Sequence, residues 1–222
     1  MIWIKICGTT SLEDAQAAVE AGADALGFIF APSPRRIRPT DAARITLTLP
    51  RTVEKIGVFV NQTAEIIAQT VQEAQLTGVQ LHGDETPRDV EKLKRTFAEE
   101  GSEIAIFKAI RAGRGFALTL EEYQGEGAPD AFLLDSGNAA ARGGTGERFD
   151  WQESPAVIKL AARRYRIVIA GGLNAGNVSE AIDAFCPYGI DVVTGVEREP
   201  GKKDRAKLQA FIRAARAMHV VK

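Results

Sequence analysis

Several side chains that can move a proton or grip an anion stand at the ends of short apolar runs. Cys7 closes Ile2–Cys7, His82 closes Gly78–His82 and Asp135 closes Ala131–Asp135. A thiolate at Cys7 can act as a base or a nucleophile. A buried cysteine is more often an inert small hydrophobe, and its place at a run's end beside Gly8 is what favours chemistry. A lone buried carboxylate is costly, so Asp135 must be paired, hydrogen-bonded or protonated, and a raised pKa suits a general acid. An N-cap or a loop brace is an equal reading of Asp135 from position alone. Arg35 or Arg36 can clamp a substrate carboxylate through a two-pronged bond, or belong to a solvated basic loop. His82 is one of two histidines and reads equally well as a hydrogen-bonded structural residue. Lys108, inside Ile104–Ile110, is a candidate Schiff-base lysine.

Two glycine turns add an anion site to this set. Gly171-Gly172 follows one apolar run, and Thr194-Gly195 ends another that also carries Asp191. Glycine lets the backbone approach an anion, and nearby helix N-termini offer free N–H groups. A single such pair is as often a plain tight turn. Two in adjacent final units favour phosphate. No GxxxxGK[ST], no paired CxxC and no GxGxxG after the first strand occurs, and Cys7, His82 and an aspartate lack zinc-ligand spacing. No metal is expected.

The elements that must position these residues form a repeat. The apolar runs are Ile2–Cys7, Ala25–Phe30, Lys55–Val60, Gly78–His82, Ile104–Ile110, Ala131–Asp135, Ile167–Gly171 and Gly189–Gly195, each followed by a candidate helix. Ser11 is a plausible N-cap with Glu13 and Asp14 in the first turn, and Gly22 is a C-cap candidate. Thr40 before Asp41–Thr48, Thr63 before Ala64–Ala74, Thr86 with Pro87, and Asn177 or Ser179 before a helix through Phe185 mark further starts. Runs such as FLLD, IVIAGG and GVFV are continuously apolar, the signature of a parallel sheet covered on both faces. Eight βα units predict a single-domain (β/α)8 TIM barrel over residues 1–222, with its active site at the C-terminal strand ends. The irregular stretch Asp135–Trp151 is expected to be a functional loop.

Composition narrows the partners. The chain has 222 residues and a formal net charge of −1, which gives no global pull toward nucleic acid or an anionic membrane. No apolar run reaches the length of a membrane span, and MIWIKICG reads as a strand rather than a signal peptide. With Cys7 and Cys186 the only cysteines, a reducing cytoplasmic setting is expected. Cys186, before Pro187 and away from the rim, reads as structural.

Taken in order, these segments resemble the phosphoribosylanthranilate isomerase family. The matching runs are KICGTT (Lys5–Thr10), GADALGFIF (Gly22–Phe30), SPR (Ser33–Arg35), GVFV (Gly57–Val60), VQLHGDE (Val79–Glu85), LLD (Leu133–Asp135), GGTGERFDW (Gly143–Trp151), AGGLNAGNV (Ala170–Val178), and GIDVVTGVE with PGKKD (Gly189–Asp204). The resemblance implies a (β/α)8 barrel and an Amadori rearrangement of a small phosphorylated substrate in tryptophan biosynthesis, without a cofactor. It implies Cys7 as general base and Asp135 as general acid, with the thiol's pKa moved down and the acid's moved up. It implies Arg35, rather than Arg36, as the grip on the anthranilate carboxylate. His82 and Asp191 become substrate-side polar residues, and Gly171, Gly172, Thr194 and Gly195 the phosphate cradle. A monomer or homodimer is expected. One run departs from the pattern: the family commonly reads DVSSGVE where this sequence reads DVVTGVE. Thr194 keeps a hydroxyl, whereas Val193 cannot donate a side-chain hydrogen bond. Backbone N–H groups can carry much of the phosphate binding, so the departure bears on affinity.

Two other readings stand beside this one: a sugar-phosphate epimerase or Lys108-dependent aldolase, and a phosphate-binding barrel without catalysis. The joint presence of Cys7 and Asp135 weighs against the last.

Overall fold

A computed structural model describes residues 1–112, 115–135 and 155–218. The expected loop Asp135–Trp151, apart from Asp135 itself, and the GGTGERFDW run lie outside the described residues. Eight parallel strands close a barrel in sequence order: β1 (Trp3–Cys7), β2 (Ala25–Ile29), β3 (Glu54–Phe59), β4 (Gly78–Leu81), β5 (Ala105–Arg111), β6 (Ala131–Asp135), β7 (Ile167–Ala170) and β8 (Gly189–Val192). β1 pairs with both β2 and β8, so no edge is left open. The helices between them are α1 (Leu12–Ala21), α2 (Pro39–Thr46), α3 (Ala64–Ala74), α4 (Pro87–Glu99), α5 (Phe116–Glu122), α6 (Pro155–Ala161) and α7 (Val178–Phe185), and α8 (Arg205–Arg216) follows β8.

Local chemistry sets the helix boundaries. Ser11 caps α1 by accepting from Asp14 N, and Gly22 ends it in the left-handed region at φ 104°. Thr63 accepts from Ile66 N at the start of α3. At α4 the Asp89 carboxylate accepts from Thr86 N at 2.7 Å. Each such cap is worth about 1 kcal/mol. The Thr40 cap expected for α2 does not form. Pro39 takes the first helical position and holds Arg38 extended before it, so the helix starts earlier and Thr40 lies inside its first turn. Asn177, not Ser179, precedes α7.

Strand alternation divides the core into two layers. Trp3, Ala25, Ile56, Phe107, Leu133, Val168 and Ala170 fill the barrel interior, where Trp3 stacks on Phe107 at 5.5 Å. Ile4, Ile6, Val79, Leu81, Phe132, Leu134, Ile190 and Val192 point outward into the apolar layer beneath the helices. Because successive side chains face opposite ways, Lys5 and Cys7 share the inward face with Trp3. By the same parity Asp135 follows Leu133 inward, and Asp191 lies between two outward residues.

Lys108 falls on the other face. It has the parity of Ile106 and Ile110, which belong to the outer layer. Its ammonium donates to Gly83 O at 2.8 Å and to Glu85 Oε2 at 2.9 Å, and both side chains are buried. Glu85 also accepts from Asn61 N and Gly83 N. A lysine so held braces the loop after β4 and is not presented to a substrate in the barrel mouth, which weighs against the aldolase reading. Removing one partner of a buried pair leaves an uncompensated charge. Lys108→Met should therefore lose about 3–5 kcal/mol in urea unfolding. Adding Glu85→Gln, which removes the stranded charge but keeps an acceptor for the loop N–H groups, should recover much of the loss. A double variant that is no more stable than the single one would contradict this.

Candidate active site

The rim is built where β1, β4, β6 and β8 end. Lys5, two residues before Cys7, is 1% exposed. Its ammonium donates to Asp191 Oδ1 at 2.9 Å and to Gln80 Oε1 at 2.8 Å. Gln80 Nε2 lies 2.7 Å from His82 Nδ1, and His82 Nε2 faces Asp135 Oδ2 at 3.4 Å. A continuous polar line thus crosses the mouth from Asp191 through Lys5, Gln80 and His82 to Asp135. It connects three of the residues expected from the sequence and adds two that were not. Lys5 and Gln80 carry a signal in retrospect: each is a polar residue inside an apolar strand, two positions before a candidate site residue.

Cys7 sits beside this line. An added Cβ at Gly27 would stand 2.5 Å from Cys7 Sγ, so glycine on the neighbouring strand makes room for the thiol. The expected lowering of the thiol's pKa is not what the structure produces. Burial pushes the Cys7 thiol up, Lys5 and Lys203 pull against that, and Asp191 adds to it. For Lys5 the order is reversed: burial favours the neutral amine, but Asp191 and Cys7 together hold the ammonium above its ordinary value.

A second hub lies outside the strands. After β8 comes a 3-10 turn over Thr194–Val196, then the antiparallel pair β9 (Glu197–Glu199) and β10 (Lys202–Lys203). The sequence reading extended the last strand to Gly195 and missed this hairpin, because three- and two-residue strands of charged side chains show no apolar periodicity. Glu197 accepts from Arg35 Nε at 2.9 Å and Nη2 at 2.8 Å, from Lys203 Nζ at 3.2 Å and from Gly201 N at 3.2 Å. Burial opposes its charge, yet Arg35 and Lys203 hold the carboxyl below the ordinary range. Lys203 also donates to Cys7 O.

Arg35 is therefore buried and paired, and does not belong to a solvated basic loop. Its two-pronged edge is occupied by Glu197, since a buried guanidinium requires an anion. The opposite edge, Nη1 with the second Nη2 proton, makes no hydrogen bond among the described residues. The stem of Arg35 crosses Gly8, where φ is +76° and an added Cβ would stand 2.7 Å from Arg35 Cδ. Arg36 is exposed while Arg35 is buried, which separates the two.

At the other end of the mouth, Gly171 and Gly172 have φ 89° and 64°, conformations that favour glycine. Asn177 Nδ2 donates to Gly172 O, and Asn174 N donates to Asn177 Oδ1. An added Cβ at Gly195 would stand 1.9 Å from Leu173 O. The turns after β7 and β8 thus pack backbone against backbone, which brings the expected phosphate residues Gly171, Gly172, Thr194 and Gly195 together. Cys186 lies at the end of α7, where its thiol donates to Asp183 O. No group of three or more metal-ligating side chains occurs among the described residues.

The sequence profile described as N-(5'phosphoribosyl)anthranilate (PRA) isomerase matches residues 4–214. The chain belongs to the N-(5'-phosphoribosyl)anthranilate isomerase family. A family member from Pelobacter propionicus is 45% identical over 218 residues, 97% of this chain and 96% of that one. One from Geobacter sp. (strain M21) is 43% identical over 98% of this chain and all of its own. Among solved structures, the family's enzyme from Thermotoga maritima superposes with a TM-score of 0.83 at 40% identity, covering 98% of this chain and 100% of that one. Another isomerase structure, in complex with reduced 1-(o-carboxyphenylamino)-1-deoxyribulose 5-phosphate, gives a TM-score of 0.80 at 40% identity over the same shares. Against the family's common DVSSGVE, Val193 has a physical place. Its Cγ1 lies 3.4 Å from where a Gly8 Cβ would be, so it packs the turn after β8 against the turn after β1.

The folded protein holds the Cys7 proton more tightly than the unfolded chain does. This favours folding below the ordinary thiol value of 9.0, an advantage lost as the pH rises through the folded value. The ultraviolet thiolate absorbance that distinguishes the protein from Cys7→Ser should accordingly titrate above pH 9.0. A midpoint below that would contradict the burial argument.

Proposed function

We propose that this chain, acting as one catalytic domain over residues 1–222, is a phosphoribosylanthranilate isomerase. It converts N-(5-phosphoribosyl)anthranilate to 1-(2-carboxyphenylamino)-1-deoxyribulose 5-phosphate, in tryptophan biosynthesis. The observation that carries this reading is the convergence of Cys7, His82 and Asp135 on the mouth of one barrel. Membership of the family along nearly the whole chain supports it.

In this reading Asp135 gives its proton to the ribose ring oxygen. The bond from that oxygen to C1′ breaks with its electron pair going to oxygen, and the nitrogen lone pair forms the iminium. The Cys7 thiolate then takes the proton on C2′. The C2′–H electrons form a C1′=C2′ bond, and the iminium pair returns to nitrogen to give the enolamine. Tautomerisation yields the ketone. Arg35 offers its Nη1 edge to the anthranilate carboxylate. Gly171, Gly172, Thr194 and Gly195 hold the phosphate, largely through backbone N–H groups. Asp191 and His82 steady the sugar hydroxyls. The protein works as a monomer or homodimer in the cytoplasm, and no helix among the described residues is long and apolar enough to cross a membrane.

The test follows the loss of anthranilate fluorescence as purified protein turns over the substrate. The wild type should be active. Cys7→Ser and Asp135→Asn should each lose about 10²–10⁴-fold in kcat, the usual worth of a general acid or base. An inactive wild type would defeat the assignment, and undiminished variants would defeat the residue roles.

A further inference from the structure

We infer that Gln80 is a positioning residue that fixes the tautomer of His82 and, through it, the oxygen of Asp135 that carries the acid proton. The argument needs only donor and acceptor counting. An ammonium has no acceptor, so the atom of Gln80 that faces Lys5 Nζ at 2.8 Å is the carbonyl Oε1. The NH₂ group then points the other way, at His82 Nδ1, 2.7 Å distant. An NH₂ group only donates, so Nδ1 presents its lone pair, and the ring proton of the neutral imidazole resides on Nε2. That N–H faces Asp135 Oδ2 at 3.4 Å. Lys5 is itself locked by Asp191, so the orientation is transmitted from β8 through β1 and β4 to β6.

The consequence for the reaction rests on the isomerase reading above. With Nε2–H facing Oδ2 at 3.4 Å, the transferable proton of the acid belongs on Oδ1. As Asp135 gives that proton up, the contact from Nε2–H becomes one to a developing carboxylate. A hydrogen bond to a charged acceptor is stronger than one to a neutral acid, so the contact stabilises the transition state more than the ground state. Gln80 touches neither substrate nor transferred proton and acts only through His82.

Long-range ¹H–¹⁵N spectra of the full chain test this directly. The sequence has two histidines, and His219→Asn identifies the His82 signals. In the wild type His82 should show a protonated Nε2 and an unprotonated Nδ1. Gln80→Glu places an acceptor opposite Nδ1 and should shift the proton to Nδ1. Gln80→Met removes the donor and should leave a mixture of tautomers. Both variants should lose about tenfold or more in kcat, a modest share of a general acid's contribution, with KM changed far less. A wild-type His82 protonated on Nδ1 would overturn the inference, and needs no variant to fold. So would a Gln80→Glu protein that retains the Nε2 tautomer or full kcat. Should the wild type show the expected tautomer but no isomerase activity, the functional reading fails while the tautomer assignment stands.

Discussion

A lysine ammonium buried in the barrel mouth is the constraint on which this site depends. Lys5 has water removed from all sides, so each of its protons must be met by an acceptor or the charge must be given up. Asp191 Oδ1 and Gln80 Oε1 meet two of them, and the neighbouring Cys7 also favours the charged amine. One side chain on β1 thereby fixes a carboxylate on β8, an amide on β4 and the field at a thiol on its own strand. Such an arrangement is not a source of great stability, because the desolvation of the pair largely offsets its attraction. What it fixes is orientation.

The same logic operates once more with the signs exchanged. Glu197 is a buried anion that gathers Arg35 from the loop after β2, Lys203 from β10 and the backbone of Gly201. Lys203 in turn reaches the carbonyl of Cys7. The loop after β2 and the β9–β10 hairpin are therefore tied to the end of β1. The Lys5 hub sits on strands whose inward face is the apolar layer that contains Trp3 and Phe107, so that part of the mouth is carried by a packed barrel. Preorganisation of this kind is what allows fixed dipoles and charges to act on a reacting group.

How much of this could be read from the sequence depends on the range over which each feature is encoded. The barrel was legible because its signal is local and repeated: eight apolar runs with caps such as Ser11 and Thr63, and strand β6 at its observed limits Ala131–Asp135. Cys7, His82 and Asp135 were legible because each breaks an apolar run at a strand end. Arg35 was identified, but its partner was not. Glu197 lies 162 residues away in sequence, in strands too short and too charged to leave a pattern. The thiol's direction was misjudged for a related reason. Its lowering was implied by the resemblance, whereas the burial that raises it belongs to the closed barrel and to the packing against Gly27 on the next strand.

That raised thiol is compatible with a base in this position, and the charges around it show why. Cys7 interacts with the cations of Lys5, Lys203 and Arg35, and among these stand the carboxylates of Asp191 and Glu197. Three positive groups against two negative ones leave one positive charge, which a thiolate neutralises. The cluster is therefore arranged for an anion at Cys7; the loss of water opposes it most, and the Asp191 carboxylate adds to that opposition. A thiolate formed against that opposition is a stronger base than one in an open site. Its scarcity costs tenfold per pH unit below its pKa, while part of that is regained in the intrinsic reactivity of the more basic sulfur. Removing Lys203 or Lys5 would leave two cations against two carboxylates, so a thiolate would give the cluster a net negative charge and the thiol would be pushed higher still. The two hubs thus do more than brace the mouth, because together they set how much of the base exists.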